Sequence, residues 1–206
     1  MGKRKIIEAN EHVFVAGKTG TGKTWLTRKY LAGYENVVLL DTKGTTNWTE
    51  AGDDLTTITR LSQIDRVETP KIRYKPTWDE MNEEYYNAFF KWVYQRQNTI
   101  VWIDEVMSIC PNPHKMPEFY RACLTRGREL GIGCWSLSQC PNSIPQLVMS
   151  EATHFIVFDL NLPQDRGKIV DITGMAEFAA KPGKYQFWYH HVETDTVHKA
   201  KGVERR

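Results

Sequence analysis

Residues 14–31 read "FVAGKTGTGKTWLTRKYL": a short apolar, β-forming run, eight residues rich in Gly, Thr and Lys, then a run of helix formers. Residues 17–24, "GKTGTGKT", satisfy G-x-x-x-x-G-K-[ST] in full, and their placement between a predicted strand and a predicted helix is the context a phosphate-binding loop requires. Each residue type has a reason. Gly17, Gly20 and Gly22 allow backbone conformations and close approach that a Cβ would obstruct, so successive N–H groups can turn inward around an anion. The helix that follows presents its orphan donors and the positive end of its dipole to the same anion. Lys23 is placed to reach the β- and γ-phosphates and Thr24 to ligate Mg²⁺, with Lys18, Thr19 and Thr21 completing the loop. Trp25 has two readings, a stacking partner for a base or a core or interface residue.

Binding a triphosphate is not hydrolysing it, which needs a carboxylate for the Mg²⁺ shell and a group that orients water. "TIVWIDEV" supplies both: Asp104 ends an apolar strand, and Glu105 follows directly as a candidate general base. A further strand, "GCWSLSQ", ends in Gln139, whose amide could hydrogen-bond the γ-phosphate or the attacking water. Before that strand lies "RACLTRGRELGIG". Arg121, Arg126 and Arg128 are candidates for a guanidinium supplied across a subunit boundary, a role that presupposes an oligomer.

Working outward, continuous apolar runs at 12–17, 36–41, 99–104, 133–139 and 154–160 predict strands covered on both faces, as in a parallel sheet. Between them, "TWDEMNEEYYNAFFKWVYQRQ" predicts an amphipathic helix opening on a Thr77 to Glu80 capping box, with Met81, Tyr85, Ala88, Phe89 and Trp92 facing the sheet. "KYQFWYHHVETDTVHKAKG" predicts an antiparallel edge hairpin around an Asp-containing turn. Segment 42–76 has no clear period before "KIRYK" and is expected to be loop plus one short strand. The class is therefore α/β: a mostly parallel, helix-flanked P-loop sheet with a C-terminal hairpin.

At 206 residues the chain has room for one domain of ordinary size, bounded by a basic tail at 1–11 and a hairpin with a basic tail at 181–206. Hydrophobic residues at 41% and charged residues at 25% describe a globular chain, and a net charge of +2 neither demands nor excludes a polyanionic partner. Local patches must decide that. Segment 60–75 carries Arg60, Arg66, Lys71, Arg73 and Lys75 against Asp65 and Glu68, and 181–206 is similarly enriched, so both are candidate phosphate-contacting surfaces. Cys110, Cys123, Cys134 and Cys140 have no CxxC spacing and form no metal-ligand pattern with the histidines, so reduced core thiols are expected. With no signal peptide and no run of about 20 apolar residues, a soluble, cytoplasmic protein, not itself transmembrane, is expected.

The order "GKTGTGKT", "VVLLDTKG", "IVWIDEV", "TRGRELGIGCWSLSQCPNSIP" resembles the FtsK/HerA superfamily of P-loop ATPases, and within it the genome-packaging ATPases of tailless, membrane-containing double-stranded DNA viruses. The likeness runs over about residues 12–175, carried most specifically by Asp41, Lys43 and Gly44 and by the arginines, Ser138, Gln139 and Pro141. It implies an additional-strand sheet, a hexameric homo-oligomeric ring, ATP and Mg²⁺ as cofactors, and double-stranded DNA as the partner. By matching position it makes Lys23 and Thr24 the Walker A pair, Asp104 and Glu105 the Walker B pair, Gln139 the sensor, and Arg126 or Arg128 the finger acting in trans. The larger translocases of the group carry further domains for which this chain has no room. That favours a minimal packaging motor, for which a capsid vertex or viral membrane protein is the candidate docking partner. Two other readings share the P-loop: a morphogenesis ATPase resembling the zonula-occludens-toxin-like phage proteins, and a small-molecule kinase.

Overall fold

The computed structural model describes residues 6–194 and 196–202. Lys3, Arg4 and Lys5 of the expected N-terminal tail, Asp195 of the hairpin turn, and Glu204, Arg205 and Arg206 lie outside the described residues.

One sheet organises the molecule. Its strands are β1 (Val13–Ala16), β2 (Val37–Leu40), β3 (Leu55–Ile58), β4 (Lys71–Tyr74), β5 (Ile100–Ile103), β6 (Gly133–Ser138), β7 (His154–Val157), β8 (Gln186–His191) and β9 (Val197–Lys201). They lie in the order β3-β4-β2-β5-β6-β1-β7-β8-β9. Strands β3 to β7 of that row pair in parallel, whereas β8 and β9 are antiparallel, so the C-terminal hairpin forms one edge as expected. Strand β6 stands between β5 and β1, the extra strand that the family resemblance implies.

The central strands are apolar at every position because both faces are covered. Phe14, Ala16, Val38, Leu40, Val101 and Ile103 face one core; Val13, Val15, Val37, Leu39, Ile100 and Trp102 face the other. The first core is closed by α2 (Glu83–Arg96), α4 (Glu118–Arg126) and α6 (Pro163–Thr173), and the second by α1 (Lys23–Leu31) and Trp48. Two shorter helices, α3 (Val106–Ile109) and α5 (Leu147–Ser150), fill turns after β5 and before β7.

Two expectations need correction. Helix α2 begins at Glu83, not at Thr77: the Asn82 side chain accepts from the Glu84 and Tyr85 N–H groups as its cap. Glu80 instead turns inward and accepts from Tyr74 Oη (2.6 Å) and the Leu61 N–H (2.9 Å), which leaves residues 78–80 as a single 3₁₀ turn. The buried stripe shifts with the helix start, to Tyr86, Phe89, Phe90 and Val93, while Ala88 is exposed. Segment 42–76 holds two strands rather than one, because β3 joins β4 in parallel at the far edge. β3 is only four residues long and mostly half-buried, too short and too polar to stand out as a strand.

The segment before β1 is pressed against β6 so closely that only glycine fits at the strand's first position. A Cβ on Gly133 would lie 2.2 Å from the Ala9 carbonyl oxygen and 2.9 Å from that of Glu11, and both neighbours are backbone. Gly133→Ala is expected to cost about 2–3 kcal/mol and to lower Tm by roughly 5–10 °C. A thermal melt unchanged from wild type would show instead that the segment yields freely.

Candidate nucleotide-binding site

The carboxyl ends of β1, β5 and β6 meet at one cleft of about 280 Å³. Its floor is the loop from Thr19 to Trp25, and Lys43, Asp104 and Gln139 face it. The loop keeps its shape through a few short contacts. Gly17 N–H donates to the Ser138 carbonyl and Lys18 N–H to that of Asp159 (3.2 and 2.8 Å), while Lys18 Nζ lies 2.7 Å from the Asp159 carboxylate. Gly17 has φ +154, and a Cβ there would meet Phe158 Cβ at 2.7 Å and Thr21 Oγ1 at 2.9 Å. Gly22, in the left-handed region at φ 106, turns the chain into α1. Among the described residues the N–H groups of Gly20, Gly22, Lys23 and Thr24 have no backbone acceptor, which leaves them as orphan donors at a helix start beside the cleft.

Lys23 is buried and curls back to donate to the carbonyls of Gly17 and, at 3.1 Å, Lys18. Burial pulls its ammonium down to about 8, against the partial support of the Glu105 charge. Thr24 is exposed at the cleft surface, and Trp25 also lines the cleft, with Lys29 Nζ 6.0 Å from its ring centroid.

Across the cleft, Asp104 Oδ1 accepts from the N–H and hydroxyl of Thr42 (3.1 and 2.9 Å), and Oδ2 from the Lys43 N–H (3.4 Å). Burial first, and the charge of Asp41 just past β2 second, push the Asp104 carboxyl up to about 6. Such crowding of buried carboxylates is relieved by a divalent cation, and a threonine hydroxyl with a carboxylate is the hard-oxygen set that suits Mg²⁺. The residues present therefore fit that ion. Glu105 is buried too, its Oε2 2.9 Å from Lys43 Nζ and its Oε1 accepting from the Gln139 N–H at 3.3 Å. The Gln139 side chain reaches the loop, where its Oε1 accepts from the Thr19 hydroxyl (2.8 Å). Six of the expected residues thus converge: Lys23, Thr24, Trp25, Asp104, Glu105 and Gln139.

Arg126 and Arg128 do not join them. Both are exposed near the turn that leads into β6, at the opposite end of the sheet from the loop, and neither has an ion pair among the described residues. Arg121, on α4, is exposed as well. The basic segment 60–75 is largely consumed inside the protein. Arg60 pairs with Asp79, Lys71 with Asp54 at 3.2 Å, and Arg73 grips buried Asp41 through Nε at 2.8 Å and Nη2 at 2.5 Å. Arg60, Arg66 and Lys75 are its exposed members, and the Arg60–Asp79 pair lies at the surface.

Five participants escaped the sequence reading in these roles. Thr42 and Lys43 hold the two carboxylates, and the sign of this was the acidic end of "VVLLD" followed by "TKG". Phe158 lines the cleft and backs the loop glycines from β7's end. Tyr185 and Gly202, at the base of the C-terminal hairpin, bring that edge to the cleft, and no local pattern marks them.

No protein-family model and no curated protein matches the chain. Solved structures do. The genome-packaging NTPase B204 of Sulfolobus turreted icosahedral virus 2, bound to ATP-gammaS, superposes with TM-score 0.79 at 18% identity, covering 96% of this chain and all of that one. The pCW3 conjugation coupling protein TcpA gives 0.63 at 13% identity, over 94% of this chain and 60% of that one. The N-terminal domain of zonular occludens toxin from Neisseria meningitidis gives 0.54 at 14% identity, over 95% of each chain. The chain therefore shares the fold of these proteins, a mostly parallel, helix-flanked sheet with an antiparallel edge, and is most similar among the three to the viral genome-packaging NTPase.

Proposed function

We propose that the protein is a Mg²⁺-dependent ATPase that translocates double-stranded DNA, packaging a viral genome into a preformed capsid. The observation that carries the reading is Glu105, a buried carboxylate held beside the phosphate loop by Lys43 and the Gln139 N–H, where a water attacking a γ-phosphate would need a base. The whole-length likeness to B204, itself a genome-packaging NTPase, supports the use to which hydrolysis is put.

In this reading residues 17–25 cradle the triphosphate and Lys23 neutralises its β- and γ-oxygens. Thr24 and Asp104 would hold Mg²⁺, which when bound offsets the charge of the phosphates. Glu105 takes a proton from the attacking water, and Gln139, resting on Thr19, registers whether the terminal phosphate is present. Arg126 or Arg128 completes a neighbour's site, since each is remote from its own loop and exposed. That division calls for a homo-oligomeric ring of single-domain subunits, a hexamer by resemblance, working in the host cytoplasm at a capsid vertex or viral membrane protein. No helix among the described residues is long and apolar enough to cross a membrane.

Turnover measured against protein concentration, with and without duplex DNA, tests the reading. The rate per subunit should rise with concentration as rings form, and rise again with duplex DNA. A folded, ATP-binding protein with no hydrolysis under any of these conditions would end it. Hydrolysis indifferent to DNA but dependent on coat or membrane protein would favour the morphogenesis reading, which the likeness to the toxin domain keeps in view.

A further inference from the structure

Away from the nucleotide cleft, at the other end of the sheet, Glu11, His154 and His191 converge from three separate parts of the chain. His154 opens β7 and His191 closes β8, and the antiparallel register sets them directly opposite each other. Their rings stack 4.6 Å apart at 15°. Glu11, from the segment pressed under β6, inserts its carboxylate alongside, with Oε2 2.9 Å from His154 Nε2 and Oε1 4.0 Å from His191 Nε2. One ligand atom from each of the three lies within 4.8 Å of the other two.

We propose that Glu11, His154 and His191 form a binding site for a divalent transition-metal ion of the zinc class, which fastens the segment before β1 to the C-terminal hairpin. Two imidazoles and a carboxylate are a donor set that zinc accepts with three protein ligands and one open position. Metal–ligand bonds of about 2.0–2.2 Å in a tetrahedron place donor atoms about 3.3 Å apart, so the present separations, all within 4.8 Å, need adjustments of at most about 1.5 Å. The surroundings are those of a ligand site. His154 is 2% exposed, and its Nδ1 is 2.8 Å from Tyr189 Oη, the kind of outer contact that fixes a ligating ring and leaves Nε2 to the ion. The Glu8 N–H donates to Glu11 Oε2 at 2.7 Å and holds the carboxylate in place. His191 Nε2 is buried and makes no hydrogen bond. A buried polar atom without a partner is costly, and a coordinate bond would remove that cost. Glu193 Oε2, 3.9 Å from the same nitrogen on an exposed side chain, is available for the open position.

The test uses the full chain stripped with EDTA, dialysed, and titrated with Zn²⁺, with Co²⁺ as a spectroscopic probe. Binding of one Zn²⁺ per chain is expected, with the visible absorption of four-coordinate Co²⁺. At free zinc a hundredfold above Kd, Tm should rise by about 5–10 °C. His191→Ala and the near-isosteric Glu11→Gln should each weaken binding by more than about tenfold, since even an outer-shell partner is worth that much. Neither side chain belongs to either hydrophobic core, so neither variant removes core packing. Lys23→Ala and Cys140→Ser should bind zinc as wild type does, which separates this site from the nucleotide cleft and from the half-buried thiol. The proposal fails if the wild type takes up no stoichiometric zinc, or if both ligand variants bind it undiminished. Neither outcome depends on ATP hydrolysis, so the proposal and the proposed function stand or fall separately.

Discussion

Glu105→Gln should lower steady-state ATP hydrolysis by about 10²- to 10⁴-fold, the range expected when a positioned general base is removed, while triphosphate affinity stays within a few-fold of wild type. The substitution is conservative in shape. The amide oxygen of glutamine can still accept from the Gln139 N–H, as Glu105 Oε1 does at 3.3 Å, and its side chain can fill the same buried space. What it cannot do is carry a proton away from water. Lys43 loses its carboxylate partner but lines the open cleft, where solvent or phosphate can meet its charge. Rapid-quench measurement of phosphate release, alongside equilibrium binding of a fluorescent ATP analogue, distinguishes lost chemistry from lost binding. Near-normal turnover would remove Glu105 from the base role.

Lys23→Ala should lose triphosphate affinity by roughly 10²- to 10³-fold, as removal of charge-assisted hydrogen bonds to two phosphates implies. The wild type adds a second signature. Because burial brings the Lys23 ammonium to about 8, the free protein loses that proton as pH rises past 8, whereas a bound triphosphate retains it. The protonated lysine is the binding form, so affinity is flat below pH 8 and falls by up to about tenfold per pH unit above it, until the pKa of the complex is reached. The variant should show no such decline. Titrations between pH 7 and 9.5 decide the matter, and an identical pH dependence in both proteins would assign the proton elsewhere. In mixtures, Lys23→Ala subunits should partly restore hydrolysis to subunits carrying Arg126→Ala or Arg128→Ala, because one intact composite site can form between the two kinds. No restoration with either arginine would argue against a role in trans.

The half of the site built from contiguous residues was legible in the sequence, and the half built from contacts across the sheet was not. Gly17 to Trp25 declare themselves because a loop around phosphate needs particular backbone geometry at fixed spacing. Asp104 and Gln139 were visible as polar residues ending apolar strands. Thr42 and Lys43 lie 62 residues from the carboxylates they hold, and their roles depend on β2 pairing with β5, a register that single-strand hydrophobicity does not encode. The same holds for Glu11 with His154, 143 residues apart. The start of α2 was misread for a local reason: Thr77 and Glu80 have the spacing of a capping box, yet Glu80 finds better partners in Tyr74 and Leu61. Segment 60–75 looked like a surface for phosphates because sequence counts charges without their partners, and Asp41, Asp54 and Asp79 had already claimed three of them.

Strand β6 is hydrogen-bonded on both sides, to β5 and to β1, and buried along its whole length. One of its ends carries Gln139, at the phosphate loop; the other is joined to the turn that bears Arg126 and Arg128. Six residues of extended chain make a rod of about 20 Å, held straight by both neighbours. On the proposed reading, a shift at Gln139 would pass along this strand to the end that carries those arginines. In the proposed ring, such a strand would serve as the lever between a subunit's own nucleotide and its neighbour.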